Sequence, residues 1–184
     1  MTTLGEIDKA LFLILNGFHN SFFDIVMQFA SNRFAWIPLY ILLLWLIIKT
    51  FKKKSIIIVL SIVFIIALSD QFSVMIKNMV LRPRPCHNEM LAQQIHINGN
   101  CGGYFGFVSS HAANTFALAL FLSFLLRRKY NYFPPLIFSW AVFVSYSRIY
   151  NGVHYPFDII SGALLGLLIS FSIYTVVKSY IYIK

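Results

Sequence analysis

Apolar residues run along this chain in long unbroken blocks, at residues 34–48, 55–76, 109–126, 133–147 and 156–177. Each block approaches the roughly 20 residues that carry a helix across a bilayer core, and the shorter ones are lengthened by apolar or aromatic flanks. Strands of a membrane barrel would alternate apolar and polar positions, so the blocks predict helices. Residues 8–30 read differently. They are amphipathic, with Asn16, Gly17, His19, Asn20 and Asp24 breaking the middle. That pattern predicts one or two helices lying at the interface, with a sixth span as the alternative. Glu6 and Asp8 stand where a cleavable signal would be positive, and no small-residue cleavage site follows. The expectation is an all-α, polytopic transmembrane helix bundle of five or six spans. It forms one domain over residues 1–184, with an amphipathic N-terminal segment at 1–32.

Composition agrees with a membrane chain. Of its 184 residues, 59% are hydrophobic and only 11% charged, too few charges to cover a soluble domain. The net charge of +9 raises the possibility of nucleic acid, but its distribution points elsewhere. Lys49, Lys52, Lys53 and Lys54 follow the first block, Arg127, Arg128 and Lys129 the third, and Lys178 and Lys184 the last. These ends fall on one side, which the positive-inside rule makes cytoplasmic. Most of the charge therefore sets topology, and no nucleic-acid partner is expected. Lys77, Arg82, Arg84 and Arg148 remain, at the opposite ends of the blocks, and Arg33 lies outside any pattern. Topology does not explain them, and an anionic ligand is the simplest candidate.

Three short stretches gather chemistry at that same face. In "KNMVLRPRP", residues 77–85, Lys77 ends a helical run and the prolines stop it, so that Arg84 can fold back towards Lys77. In "GFVSSHAANTFALAL", residues 106–120, Ser109 suits the N-cap of the next helix. Unpaired N–H groups at that helix start, with Ser109 and Ser110, can receive an anion within reach of His111. In "SYSRIYNGVHYPFDII", residues 145–160, Pro156 suits a first helical turn. Asp158 then lies four residues after His154. There it can accept the Nδ1 proton and leave Nε2 free for nucleophilic or base work. Each stretch alone has an ordinary explanation: a snorkelling lysine, a helix cap, a dipole partner. Together they place one lysine, two arginines, two histidines, a serine and an aspartate at helix ends on one face.

These residues resemble the type 2 phosphatidic acid phosphatase family, marked by K-x6-RP, P-S-G-H and S-R-x5-H-x3-D. Lys77 with Arg84-Pro85 matches the first motif and Ser147-Arg148, His154 and Asp158 the third, in residue and spacing. In the second, Val108 and Ser110 replace proline and glycine beside Ser109 and His111. The resemblance covers about residues 55–175. It implies a metal-independent lipid phosphatase, related to the vanadate-dependent haloperoxidases, with no cofactor and a membrane lipid phosphate as substrate. In that reading Lys77, Arg84, Ser109, Ser110 and Arg148 bind the phosphate. His154, steadied by Asp158, attacks phosphorus to form a phosphohistidine, and His111 protonates the leaving oxygen. The family's substrates include undecaprenyl pyrophosphate, phosphatidylglycerol phosphate, phosphatidic acid and lipid A phosphates. A soluble haloperoxidase is excluded by the spans. A small transporter or channel with an outward anion site is the competing class, although transporters place their polar groups at the midplane.

Other residues carry lesser expectations. Asp70, seven residues before Lys77, and Asn114, one turn after His111, are expected to support the cluster. His19, His87 and His96 read as loop residues, and the glycines of "NGNCGGYFGF" as loop punctuation. Neither an aspartate-rich nor a His/Cys ligand cluster is present for a metal. Cys86 and Cys101 share the outer loop, where an oxidising compartment favours a disulfide. Its closure is worth roughly 3 kcal/mol in the chain-entropy picture.

Overall fold

The computed structural model describes residues 3–182. Seven α-helices account for most of them: α1 (Thr3–Gly17), α2 (Ser21–Ser31), α3 (Ile37–Phe51), α4 (Ser55–Val80), α5 (Ser110–Leu126), α6 (Phe133–Tyr150) and α7 (Pro156–Tyr182). Among the described residues there is no strand, only an isolated bridge between Pro83 and Phe105. The apolar blocks thus became α3 to α7, with prolines in the first turns of α3, α6 and α7.

Helix α5 lies at the centre, packed against α4, α6 and α7. It is apolar on every side, and Ala113, Ala117, Phe121, Leu122 and Leu126 are fully buried along it. Helix α4 buries one face, Ile58, Ser61, Ile65, Ser69 and Ser73, and exposes Ile56, Leu60, Val63 and Phe64 on the other. An exposed apolar face of that kind is at home in hydrocarbon. Two stretches are long and apolar enough to cross a bilayer, Arg33–Val80, which contains both α3 and α4, and Pro156–Tyr182. The bent pair α1–α2 adds a third if taken as one broken span, and the apolar α5 is shorter at 17 residues. The chain is a multi-pass membrane protein.

The N-terminal segment packs against the rest of the bundle. Helices α1 and α2 meet at 117°, and α1 packs on α6 and α7 with Asp8 and Phe12 fully buried. Asn16 donates to the carbonyls of Ile149 and Tyr150 at 3.1 and 2.8 Å, closing the end of α6. Beyond it, His96 holds Asp24 at 2.7 Å and stacks on His19, which ties the long 81–109 loop to the α1–α2 corner. Inside that loop Cys86 and Cys101 are joined as a disulfide, with Cα atoms 6.1 Å apart.

Candidate active site

At one end of the bundle the last turns of α4 and α6 meet the first turns of α5 and α7. Asp158, fully buried in the first turn of α7, is held on every side. Its Oδ2 accepts the Tyr155 N–H at 3.0 Å and faces His154 Nδ1 at 3.4 Å, and its Oδ1 accepts from Arg82 at 2.8 Å. Its backbone carbonyl receives the Ser109 N–H at 2.9 Å, which locks the start of α5 to the start of α7.

His154 follows a tight corner. The N–H groups of Val153 and His154 both donate to the Arg148 carbonyl, at 3.1 and 3.2 Å. Gly152 makes this possible with φ +75°, and a Cβ there would lie 2.7 Å from the His96 carbonyl. The imidazole is 2% exposed. Burial, then Arg148, Arg84 and Lys77, push its pKa well below the ordinary histidine range. The ring is therefore neutral. With Nδ1 turned to Asp158 and the Gly106 carbonyl also in reach, Nε2 keeps its lone pair.

The cations and serines surround this ring. Lys77 donates to Ser110 Oγ at 2.7 Å, and Ser110 Oγ lies 2.6 Å from Ser73 Oγ, which donates to the Asp70 carbonyl. Ser110 thus aims the Lys77 ammonium. Arg84 is fixed by the carbonyls of Cys101 at 2.6 Å and Phe105 at 3.2 Å. Arg148 donates through Nη1 to Ser31, while its Nε is buried with no partner. Ser109 caps α5, its side chain accepting the Ala112 N–H. His111, half-buried in the first turn of α5, faces the Ser31 carbonyl and lies in electrostatic range of Arg148, His154 and Arg84. The structure therefore brings Lys77, Arg84, Ser109, Ser110, His111, Arg148, His154 and Asp158 together. An arginine Nε that is buried and unpaired is a costly donor, and it is suited to an incoming anion.

Arg82 departs from the expectation that all four outer cations await a ligand. Its guanidinium bridges two of the protein's own carboxylates, Asp8 at 2.6 Å and Asp158 at 2.8 Å, and lies over the Tyr155 ring at 4.1 Å. Asp8 in turn accepts the Phe157 N–H at 2.9 Å. Sequence reading missed this role; its trace was an acid in an apolar helix and one arginine more than the first motif needs. Gly106 was also missed among the loop glycines. A Cβ there would stand 3.0 Å from Asp158 Oδ2 and 3.2 Å from Arg84 Cγ. Asp70 exposes its carboxylate two turns from Lys77, and Asn114 Oδ1 is buried without a partner. His87 stacks on Tyr104. Among the described residues one group of metal-ligating side chains lies close together, Cys86, His87 and Cys101, and the disulfide occupies both sulfurs.

Comparison with known proteins identifies the family. A Bacteroides thetaiotaomicron protein named lipid A 4'-phosphatase is 39% identical over 89% of this chain and 73% of its own length. A Sulfolobus acidocaldarius protein named undecaprenyl-diphosphatase is 31% identical, over 88% of this chain and 74% of its own. The crystal structure of a transmembrane PAP2 type phosphatidylglycerolphosphate phosphatase from Bacillus subtilis superposes with a TM-score of 0.77, covering 100% of this chain and 90% of that one, at 17% identity. The family model described as PAP2 superfamily matches residues 58–181, a range that takes in Lys77, Arg84, His111, Arg148, His154 and Asp158. Motif, site and fold converge, and the chain belongs to the PAP2 superfamily.

Proposed function

We propose that this protein is a membrane lipid phosphatase that works through a phosphohistidine at His154, on the outer face of the inner membrane. The observation that carries the reading is the convergence of Lys77, Arg84 and the unpaired Arg148 Nε on a neutral, buried His154. The cations neutralise the non-bridging oxygens of the phosphate. His154 Nε2 attacks phosphorus in line, and the P–O bond to the lipid breaks with its electrons going to oxygen. His111, which can carry a proton once the bound phosphate's negative charge offsets Arg148 and Arg84, gives that oxygen its proton. The new imidazolium is steadied by Asp158, itself anchored by Arg82. Neutral His111 then takes a proton from water as the water attacks, the P–N bond breaks, and phosphate leaves. No step is assigned to a metal. The named relatives favour a lipid A-class phosphate monoester as substrate, with undecaprenyl pyrophosphate as the second candidate.

The test is burst kinetics on purified protein in EDTA, with a lipid monoester and an aryl phosphate. His154→Ala is expected to abolish the burst on both. His111→Ala is expected to lose at least about tenfold more on the lipid, whose alkoxide needs the proton, than on the aryl ester, which leaves unaided. Equal losses would remove His111 from the acid role. A surviving burst in His154→Ala would move the nucleophile elsewhere.

A further inference from the structure

The end of α2 reaches two residues of the site at once, through a single serine. Ser31 closes that helix and lies outside residues 58–181, the range matched by the family model. Its backbone carbonyl accepts a ring N–H of His111, and its hydroxyl oxygen accepts from Nη1 of Arg148. His111 belongs to the first turn of α5 and Arg148 to the last turn of α6. One residue therefore joins α2, α5 and α6 at the catalytic face.

Ser31 is itself held in place. Carbonyls beside it in the last turns of α2 are taken up: Phe29 accepts the Asn32 N–H at 3.1 Å, Ala30 accepts Trp36 Nε1 at 2.9 Å, and Met27 accepts Asn151 Nδ2 at 3.2 Å. Met27 and Ala30 are buried, and α2 packs on α6. A helix end whose carbonyls are tied down in this way is a rigid mount.

Each contact has a chemical consequence. A carbonyl can only accept, so it fixes which nitrogen of His111 keeps its proton and leaves the other nitrogen for substrate. That second nitrogen carries a proton when the ring is charged and a lone pair when it is neutral, the two states that the acid and base steps need. His154 differs, because its partner Asp158 is a carboxylate, suited to a ring that becomes charged. On Arg148 the guanidinium is planar, so pinning Nη1 also fixes the plane in which the buried, unpaired Nε points. We propose that Ser31 is a positioning residue for the reaction: its carbonyl aims the proton-transfer nitrogen of His111, and its hydroxyl aims the phosphate-binding edge of Arg148. This rests on the phosphatase reading above and extends the working site to the N-terminal helices.

The experiment uses the purified full chain, with inorganic phosphate as product inhibitor and a lipid monoester and an aryl phosphate as substrates. Ser31→Ala is expected to raise the Ki of inorganic phosphate about fivefold, while Ser31→Thr, which keeps a hydroxyl, stays within about twofold of wild type. For the carbonyl, Asn32 is replaced by its α-hydroxy acid, which turns the peptide bond after Ser31 into an ester and weakens the Ser31 acceptor. The burst on the lipid is then expected to slow about fivefold more than the burst on the aryl ester, since a badly aimed acid matters only to the poor leaving group. The same exchange at Ala30 weakens the Phe29 carbonyl and disturbs the same Asn32 bond, and it should leave the lipid-to-aryl ratio unchanged. Neither Ki nor this ratio depends on how much of a variant folds. An unchanged Ki in Ser31→Ala, or equal losses on both esters in the Asn32 variant, would overturn the proposal and leave the phosphatase reading standing. An equal drop in the ratio from the Ala30 exchange would overturn it too. Wild-type protein that cleaves neither ester would remove both.

Discussion

Arg82 holds one positive charge between two fully buried carboxylates, Asp8 and Asp158. The balance matters because in the proposed mechanism Asp158 steadies the charge that forms on His154. With Asp8 neutralised, Arg82 would bear on Asp158 alone and weaken that service. Asp8→Asn keeps the shape and the acceptor for the Phe157 N–H, so the fold should hold. Its expected effect is a fall of about tenfold in kcat and in the rate of phosphoenzyme formation, with KM within about twofold. A variant that melts earlier yet turns over normally would make the contact merely structural. Arg82→Met leaves both carboxylates unpaired and is expected to cost about 3 kcal/mol of stability. The residues proposed to bind phosphate could be picked out in the sequence because each sits in a short motif with fixed spacing. Arg82 was misread because its partners are 74 and 76 residues away, and spacing says nothing across such gaps. Gly106 was passed over for a related reason: a missing side chain gives no sign of the Asp158 oxygen it lets approach.

Helix α5 carries His111 and helix α7 the Asp158 that faces His154, and the separation of the two helices is set by glycine. A Cβ at Gly166 would stand 2.0 Å from the Ala113 carbonyl oxygen, and one at Gly162 would stand 2.5 Å from that of Ser109. Both obstacles are backbone, which cannot rotate away, so a methyl group must push the helices apart. Gly166→Ala is expected to lower stability by about 1–3 kcal/mol and kcat by up to about a hundredfold, since a shift near 1 Å spoils in-line geometry. Gly103→Ala, where a Cβ meets nothing within 4 Å, should be neutral in both thermal melting and turnover. A Gly166→Ala enzyme with wild-type kcat would show that the spacing is not critical. The helices themselves were readable from apolar blocks, with ends shifted by only a few residues. Their pairing was not, because α5 is apolar all round and advertises no particular neighbour. Residues 8–30 are amphipathic as read, but on α1 the sequence could not tell which face turns inward. Its polar residues Asp8 and Asn16 face partners inside the bundle instead of water.

Across the whole molecule, the site and the Lys52–Lys54 turn lie at opposite ends of α4. Lysine-rich turns stay in the cytoplasm, so the disulfide loop and the catalytic face should look outward. An impermeant maleimide applied to intact cells is expected to modify Met90→Cys and to spare Lys53→Cys; the reverse pattern would invert the protein in its membrane. One consequence concerns how such an enzyme comes into being. Asp8 in α1 receives the N–H of Phe157 in α7, 149 residues further along the chain. A ribosome delivers α1 to the membrane first and α7 much later. During that interval Lys77, Arg84 and His111 are already made, yet no nucleophile exists and Asp8 has no α7 to cap. A chain stalled before residue 154 holds all three cations of the proposed phosphate site, Lys77, Arg84 and Arg148, and lacks the proposed nucleophile. On the proposed mechanism, activity should therefore appear only when α7 is in place and the Asp8–Phe157 contact joins the first helix to the corner that carries His154.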